Sequence, residues 1–146
     1  MSGLASLNPA PPNPGRRGVV AVVGHQGRLL VIRRSSHVVA PRAICFPGGG
    51  IDAGESEREA LVREIREELE APIEPVRPVW RSVTTWEVEL AWWQARLDIA
   101  LPLRPNPAEV ESVHWLTPDE LLEHPDLLTS NREFLHALRR GEIVLD

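Results

Sequence analysis

The sequence predicts an α/β (α+β) fold, with a mixed β-sheet sandwiched between helices. Three observations predict it. Short β-branched and aliphatic runs occur in both halves of the chain, one amphipathic stretch at 56–70 separates them, and two capped helix starts follow the last run. At 146 residues the chain has the size of one domain, enough to bury roughly two-thirds of its unfolded surface without a disulfide or metal staple.

The elements follow in chain order. Residues 1–15 hold four prolines and no periodicity, so a flexible tail is expected there and the folded domain over 16–146. "GVVAVVG" and "RLLVIRR", joined by "HQG", predict two buried strands in a hairpin. "SSHVVAPRA" reads as a loop and "AICF" as a short strand running into glycines. Ser56 with Glu59 forms a capping box, and Leu61, Val62, Ile65 and Leu69 share the helix face that must turn to the core. "VRPVWRSV" and "WEVELAWWQARLDI" predict strands, "LPLRPNPA" a loop and "VESVHWL" a further strand. Adjacent Trp92 and Trp93 point to opposite faces of their strand, and packing beneath a helix is expected before stacking on a nucleobase. Thr117-Pro118-Asp119-Glu120 opens one helix; Ser130 and Glu133 repeat the capping-box spacing for another, which Gly141 ends.

Composition excludes several chemistries. The single Cys45 rules out an internal disulfide and a cysteine-rich zinc site, and fits a reducing, cytoplasmic setting. There is no lysine, which closes Schiff-base and P-loop mechanisms. No apolar run approaches the ~20 residues that span a bilayer. A slightly acidic chain argues against a nucleic-acid partner and leaves a small molecule as the expected one.

The charge is concentrated. Residues 46–71, "FPGGGIDAGESEREALVREIREELEA", carry eight carboxylates and three arginines, a local excess of five that equals the whole formal charge of −5. Glu64, Glu67 and Glu68 stand three and four residues apart, so they share a helix face where like charges repel. Mg²⁺ or Mn²⁺ suits such a patch, because hard divalent cations take oxygen ligands. An ordinary solvated acidic face is the alternative; the "PGGG" and "DAG" just before the helix, where bare backbone can turn towards a cation or a phosphate, favour the metal.

This segment resembles the Nudix box. Counted from Gly49, Glu55 falls on the first glutamate of the pattern, Arg63-Glu64 on its Arg-Glu pair, Ile65 on the aliphatic position and Glu67-Glu68 on the paired glutamates. The strands before the box and "VHWLTPDEL" after it extend the likeness over most of 16–140. The pattern closes with glycine and an aliphatic residue; this chain has Glu70 and Ala71, then Pro72, which puts the helix cap in question without touching the metal positions.

The resemblance implies a Nudix-type α/β/α sandwich and metal-dependent hydrolysis of a nucleoside diphosphate derivative by water attack at phosphorus. It implies Glu64, Glu67 and Glu68 as metal ligands, the Gly48 carbonyl as a further ligand, Glu55 supporting the metal through water, and Arg63 holding the glutamates. The general base is a box glutamate or one from a later loop, with Glu109 and Glu111 placed for it. Arg33, Arg34 and Arg42, which lead into the box, are candidates to contact the substrate beside Gly49. His37 and His114 are expected to be structural. A non-catalytic nucleotide-binding or regulatory module on the same fold is the alternative function. The absence of tyrosine argues against the dinucleoside-polyphosphate type, and the NADH and coenzyme A signatures are missing; nucleoside triphosphates and nucleotide sugars such as ADP-ribose stay open. Many relatives pair, which leaves a homodimer open.

Overall fold

A computed structural model of the chain describes residues 16–146; the tail expected over 1–15 lies outside them. The strands form two sheets of four. One contains β1 (Arg17–Val22), β5 (Gly48–Gly50), β6 (Glu74–Val83) and β7 (Glu89–Arg96) in the order β5-β1-β7-β6. It is mixed: β1 runs parallel to β7 and antiparallel to β5, and β6 runs antiparallel to β7. The other is antiparallel, with β3 (Arg28–Arg34) pairing β2 (Gly24–His25), β4 (Ile44–Cys45) and β8 (Val110–Leu116).

The expected hairpin is only partly formed. Gln26 and Gly27 both take positive φ, 52° and 77°, as a two-residue primed turn requires, but the turn joins only the short β2 to β3. Past Val22 the chain changes sheets, and the long β1 pairs with β7 instead. A continuous apolar run marks a strand buried on both faces and does not say which strand lies beside it. Pro75 and Pro78 are accommodated because β6 is an edge strand, with register shifts beside each proline.

Two cores lie on opposite sides of the sheets. Val19, Ala21, Leu61, Ile65, Leu69 and Trp93 pack beneath α1 (Glu57–Leu69). Val20, Val22, Phe46, Trp92 and Phe134 pack beneath α3 (Thr129–Arg139). The adjacent tryptophans thus each fill one core, both under helices. Trp92 stacks on Phe134 with ring centroids 4.5 Å apart, while Trp93 lies beneath the Arg58 guanidinium and donates its indole N–H to Glu57.

The Ser56–Glu59 capping box forms, as does the Thr117–Glu120 box that opens α2 (Pro118–Leu122). The third does not. α3 begins at Thr129, two residues earlier than expected, with Leu128 at its N-cap and no side-chain cap. Its polar residues serve tertiary contacts: Asn131, 4% exposed, accepts the Phe46 backbone N–H at 2.8 Å and donates to Ser130. Glu70 takes the left-handed C-cap conformation, φ 50°, that glycine would adopt more readily, and its N–H still reaches the Arg66 carbonyl.

Candidate active site

The site lies where α1 faces the glycine strand. β5 runs antiparallel to β1 with Val19 opposite Gly49 and Val20 opposite Gly48. A Cβ on Gly48 would collide with the Val19 backbone, and one on Gly49 would occupy the place of the Glu64 carboxylate. The consecutive glycines therefore let helix carboxylates come up against bare backbone, and the Gly48 N–H donates to Glu68 at 3.1 Å.

Arg63 organises the rim. Its Nε and Nη2 grip the two Glu55 oxygens at 2.6 and 2.9 Å, Nη2 also donates to the Gly50 carbonyl at 2.9 Å, and Nη1 reaches Glu64 at 3.1 Å and Glu67 at 3.3 Å. Such a fork demands arginine, since an ammonium cannot span both carboxylate oxygens in a plane. Those bonds, with the Asp52 N–H, hold the Glu55 carboxyl down to about 2, and the same contacts raise Arg63 above its usual range.

The loop before β8 completes the site. The last carbonyls of a helix lack partners within it; here the Arg104 N–H donates to Leu69 and the Asn106 N–H to Glu68, each at 2.8 Å. Docked in this way, the loop delivers Glu109, and carboxylate oxygens of Glu64, Glu68 and Glu109 lie within 4.8 Å of one another. Burial pushes Glu64 up to about 6, against the pull of Arg63. Burial, joined by the charge of Glu64, pushes Glu68 up to about 8.

This trio fits a divalent cation. All its donors are oxygen, and ligands on one ion at 2.0–2.6 Å stand about 3–5 Å apart. Glu68 is only 4% exposed, and no ion pair among the described residues involves it, so its charge is left uncompensated in a place where charge is costly.

The predicted residues are placed as follows. Glu64 and Glu68 come together, whereas Glu67, half-exposed, turns to Arg63 beside them. Glu109, read from sequence as a base, joins the trio itself. Glu111 is paired with Arg42 at 2.6 Å, and Arg33 is engaged by Asp126 and the Arg42 carbonyl. Arg34 donates to the Val39 carbonyl while its charge lowers the Glu68 carboxyl. Sequence reasoning missed Asn106 and Ser35, which hold the loop; a lone asparagine between two prolines gave no signal beyond a turn. His114 shares a 2.8 Å hydrogen bond with Ser112, its neighbour on β8.

Among the described residues, no helix is long and apolar enough to cross a membrane. The sequence matches the family profile described as NUDIX domain over residues 12–138. It is 33% identical over 110 residues to a CTP pyrophosphohydrolase of Escherichia coli (strain K12), covering 73% of this chain and 79% of that protein. A Nudix hydrolase of Deinococcus radiodurans is 36% identical over 106 residues, 66% of this chain and 60% of that one. In fold, the chain resembles the MutT protein of Methanosarcina mazei Go1, with a TM-score of 0.76, 20% identity, and 88% and 96% of the two chains covered. A profile match spanning most of the chain, on a mixed α+β fold shared with these proteins and around an arginine-held glutamate helix, establishes that this chain belongs to the Nudix family and is a hydrolase acting on nucleotide derivatives.

Proposed function

We propose that residues 16–146 form one hydrolase domain that cleaves the pyrophosphate linkage of a nucleoside triphosphate, or of a nucleotide sugar such as ADP-ribose, with Mg²⁺ or Mn²⁺. The observation that carries this reading is the trio of Glu64, Glu68 and Glu109, with Glu68 buried and Glu109 half-buried. The relative named a CTP pyrophosphohydrolase supports the triphosphate as the first substrate to try.

Glu64, Glu68 and Glu109 would hold the cation, with the Gly48 carbonyl and Glu67 as further candidate ligands. A divalent ion bound there would supply charge neutralisation for the pyrophosphate and a lowered pKa for the attacking water. The chain's own groups do the rest. Arg63 fixes the box glutamates, Glu55 fixes Arg63, and Arg34 offers a cation to the approaching phosphates. Water forms the new P–O bond as the bridging P–O bond breaks, and the proton passes to Glu64, Glu67 or Glu109; Glu111, already paired with Arg42, is not needed.

The test is a panel of nucleoside triphosphates and nucleotide sugars incubated with Mg²⁺, with Glu68→Gln in parallel. Metal-dependent product release by the parent and its loss in the variant are expected. No release from any substrate would end the proposal. Glu67→Gln then tests the acceptor outside the trio: lost kcat with Mg²⁺ affinity kept assigns the proton to Glu67, and retained kcat assigns it to Glu64 or Glu109.

A further inference from the structure

Two members of the trio ride on one helix, whereas the third arrives on a loop. Glu64 and Glu68 are set by α1, so their spacing is fixed by helix geometry. Glu109 has no such support and depends on whatever locks its backbone. Asn106 contacts both parts. Its backbone N–H donates to the Glu68 carbonyl at 2.8 Å, and its own carbonyl accepts from the N–H groups of Glu109 and Val110 at 2.9 and 2.7 Å. Its side chain closes the turn: Oδ1 accepts the Ala108 N–H at 3.1 Å, and Nδ2 is aimed at Glu109 Oε2 at 3.5 Å.

A second anchor grips the same turn from the other side. Ser35, only 3% exposed, donates its hydroxyl to the Ala108 carbonyl at 2.9 Å and its backbone N–H to the Glu109 carbonyl at 3.0 Å. Between them, Asn106 and Ser35 occupy the N–H and carbonyl of Ala108 and the N–H and carbonyl of Glu109. That leaves the Glu109 side chain as the free part of the turn.

We propose that Asn106 is a positioning residue that sets the Glu109 carboxylate against Glu64 and Glu68, with Ser35 as its counter-anchor. The inference rests on the hydrolase reading above. Without the side chain of Asn106, the turn loses the acceptor for the Ala108 N–H and Glu109 its polar neighbour, while Glu64 and Glu68 stay where the helix puts them.

The experiment is a double-mutant cycle on the full chain, read by calorimetric titration with Mg²⁺ alone and by kcat and KM. Asn106→Ala is expected to weaken Mg²⁺ binding about tenfold, the scale of supporting-residue losses at metal sites, and to lower kcat with little change in KM. In a Glu109→Gln background the same substitution is expected to add nothing, because its effect passes through Glu109. Asn106→Asp keeps the acceptor for the Ala108 N–H, and so the turn, but sets an oxygen against Glu109; its Mg²⁺ affinity is also expected to depend on whether residue 109 is Glu. Parental Mg²⁺ affinity in Asn106→Ala, or additive losses in the cycle, would overturn the inference while leaving the hydrolase intact. A parent chain that neither binds Mg²⁺ nor turns over substrate would overturn both.

Discussion

Mg²⁺ binding should release protons, in a number fixed by the two buried glutamates. Glu68 is pushed up to about 8 and Glu64 to about 6, chiefly by burial. At pH 7 the first is about 90% protonated and the second about 10%, so the pair carries about one proton that an ion must displace. At pH 5 the pair carries about two, and at pH 9 about 0.1. The two groups interact, so the counts belong to the pair rather than to either residue. Calorimetric titration of the metal-free protein with Mg²⁺ in two buffers of unlike ionisation enthalpy measures the count directly. The apparent enthalpy should differ strongly between buffers at pH 7, more at pH 5 and hardly at all at pH 9. Buffer-independent heats at pH 7 would refute the placement of a buried, protonated Glu68 at the ion's position. Glu68→Gln is the control: with this ligand gone, the buffer-dependent heat at pH 7 should disappear together with Mg²⁺ binding.

Three other outcomes follow from the same geometry. Gly49→Ala drives a methyl group into the space of the Glu64 carboxylate and should lower Mg²⁺ affinity at least about tenfold by calorimetry. Glu70→Gly removes a left-handed penalty of about 1–2 kcal/mol and adds about 0.4–1 kcal/mol of unfolded-chain entropy, so urea melts should show a net gain of about 0.5–1 kcal/mol. In chelator, the thermal midpoint should fall as pH rises from about 4.3 towards 8, because folded Glu64 and Glu68 hold protons that the unfolded chain has already released. Glu55, held down to about 2, acts oppositely below about 4.3, so the metal-free optimum should lie near pH 4–5, and saturating Mg²⁺ should abolish the decline above it.

What the sequence made legible was local. Ser56 and Glu59 are three residues apart, and Pro118 sits next to its cap, so each reads out within one turn and each forms. Glu64 and Glu68, four apart, were bound to share a face. Glu67 has equal standing by spacing; the structure separates it because Arg63, four residues earlier, draws its carboxylate outwards. Long-range pairing was not legible. β1 finds β7 rather than β3, a choice made by sheet packing between segments far apart in sequence. Glu109 enters the trio because loop N–H groups satisfy the end of α1, a contact that neither segment announces alone. The third capping box fails because the N-cap of α3 falls two residues ahead of Ser130, whose hydroxyl accepts from Asn131 while Asn131 takes the Phe46 N–H just past β4.

The three arginines of the acidic segment explain why a cation is still needed. Arg58 is spent on the carbonyls of Pro75 and Val76 and on the face of Trp93. Arg63 is spent mainly on Glu55, lending one nitrogen to Glu64 and Glu67 together. Arg66 lies exposed in the last turn, where its charge complements the helix dipole. None is left for Glu68, and the nearest help, from Arg34, offsets only part of the burial. Had an arginine reached Glu68, the helix would be better compensated and the site closed to metal. At pH 8, where about half of Glu68 has lost the proton that neutralises it, metal-free stability is therefore lowered by the desolvation of a carboxylate, and Glu68→Gln should both stabilise the metal-free chain there and abolish the stabilisation that Mg²⁺ confers on the parent. A variant that melts at the parental temperature in chelator at pH 8 would show that the strain at Glu68 is relieved by something other than a cation.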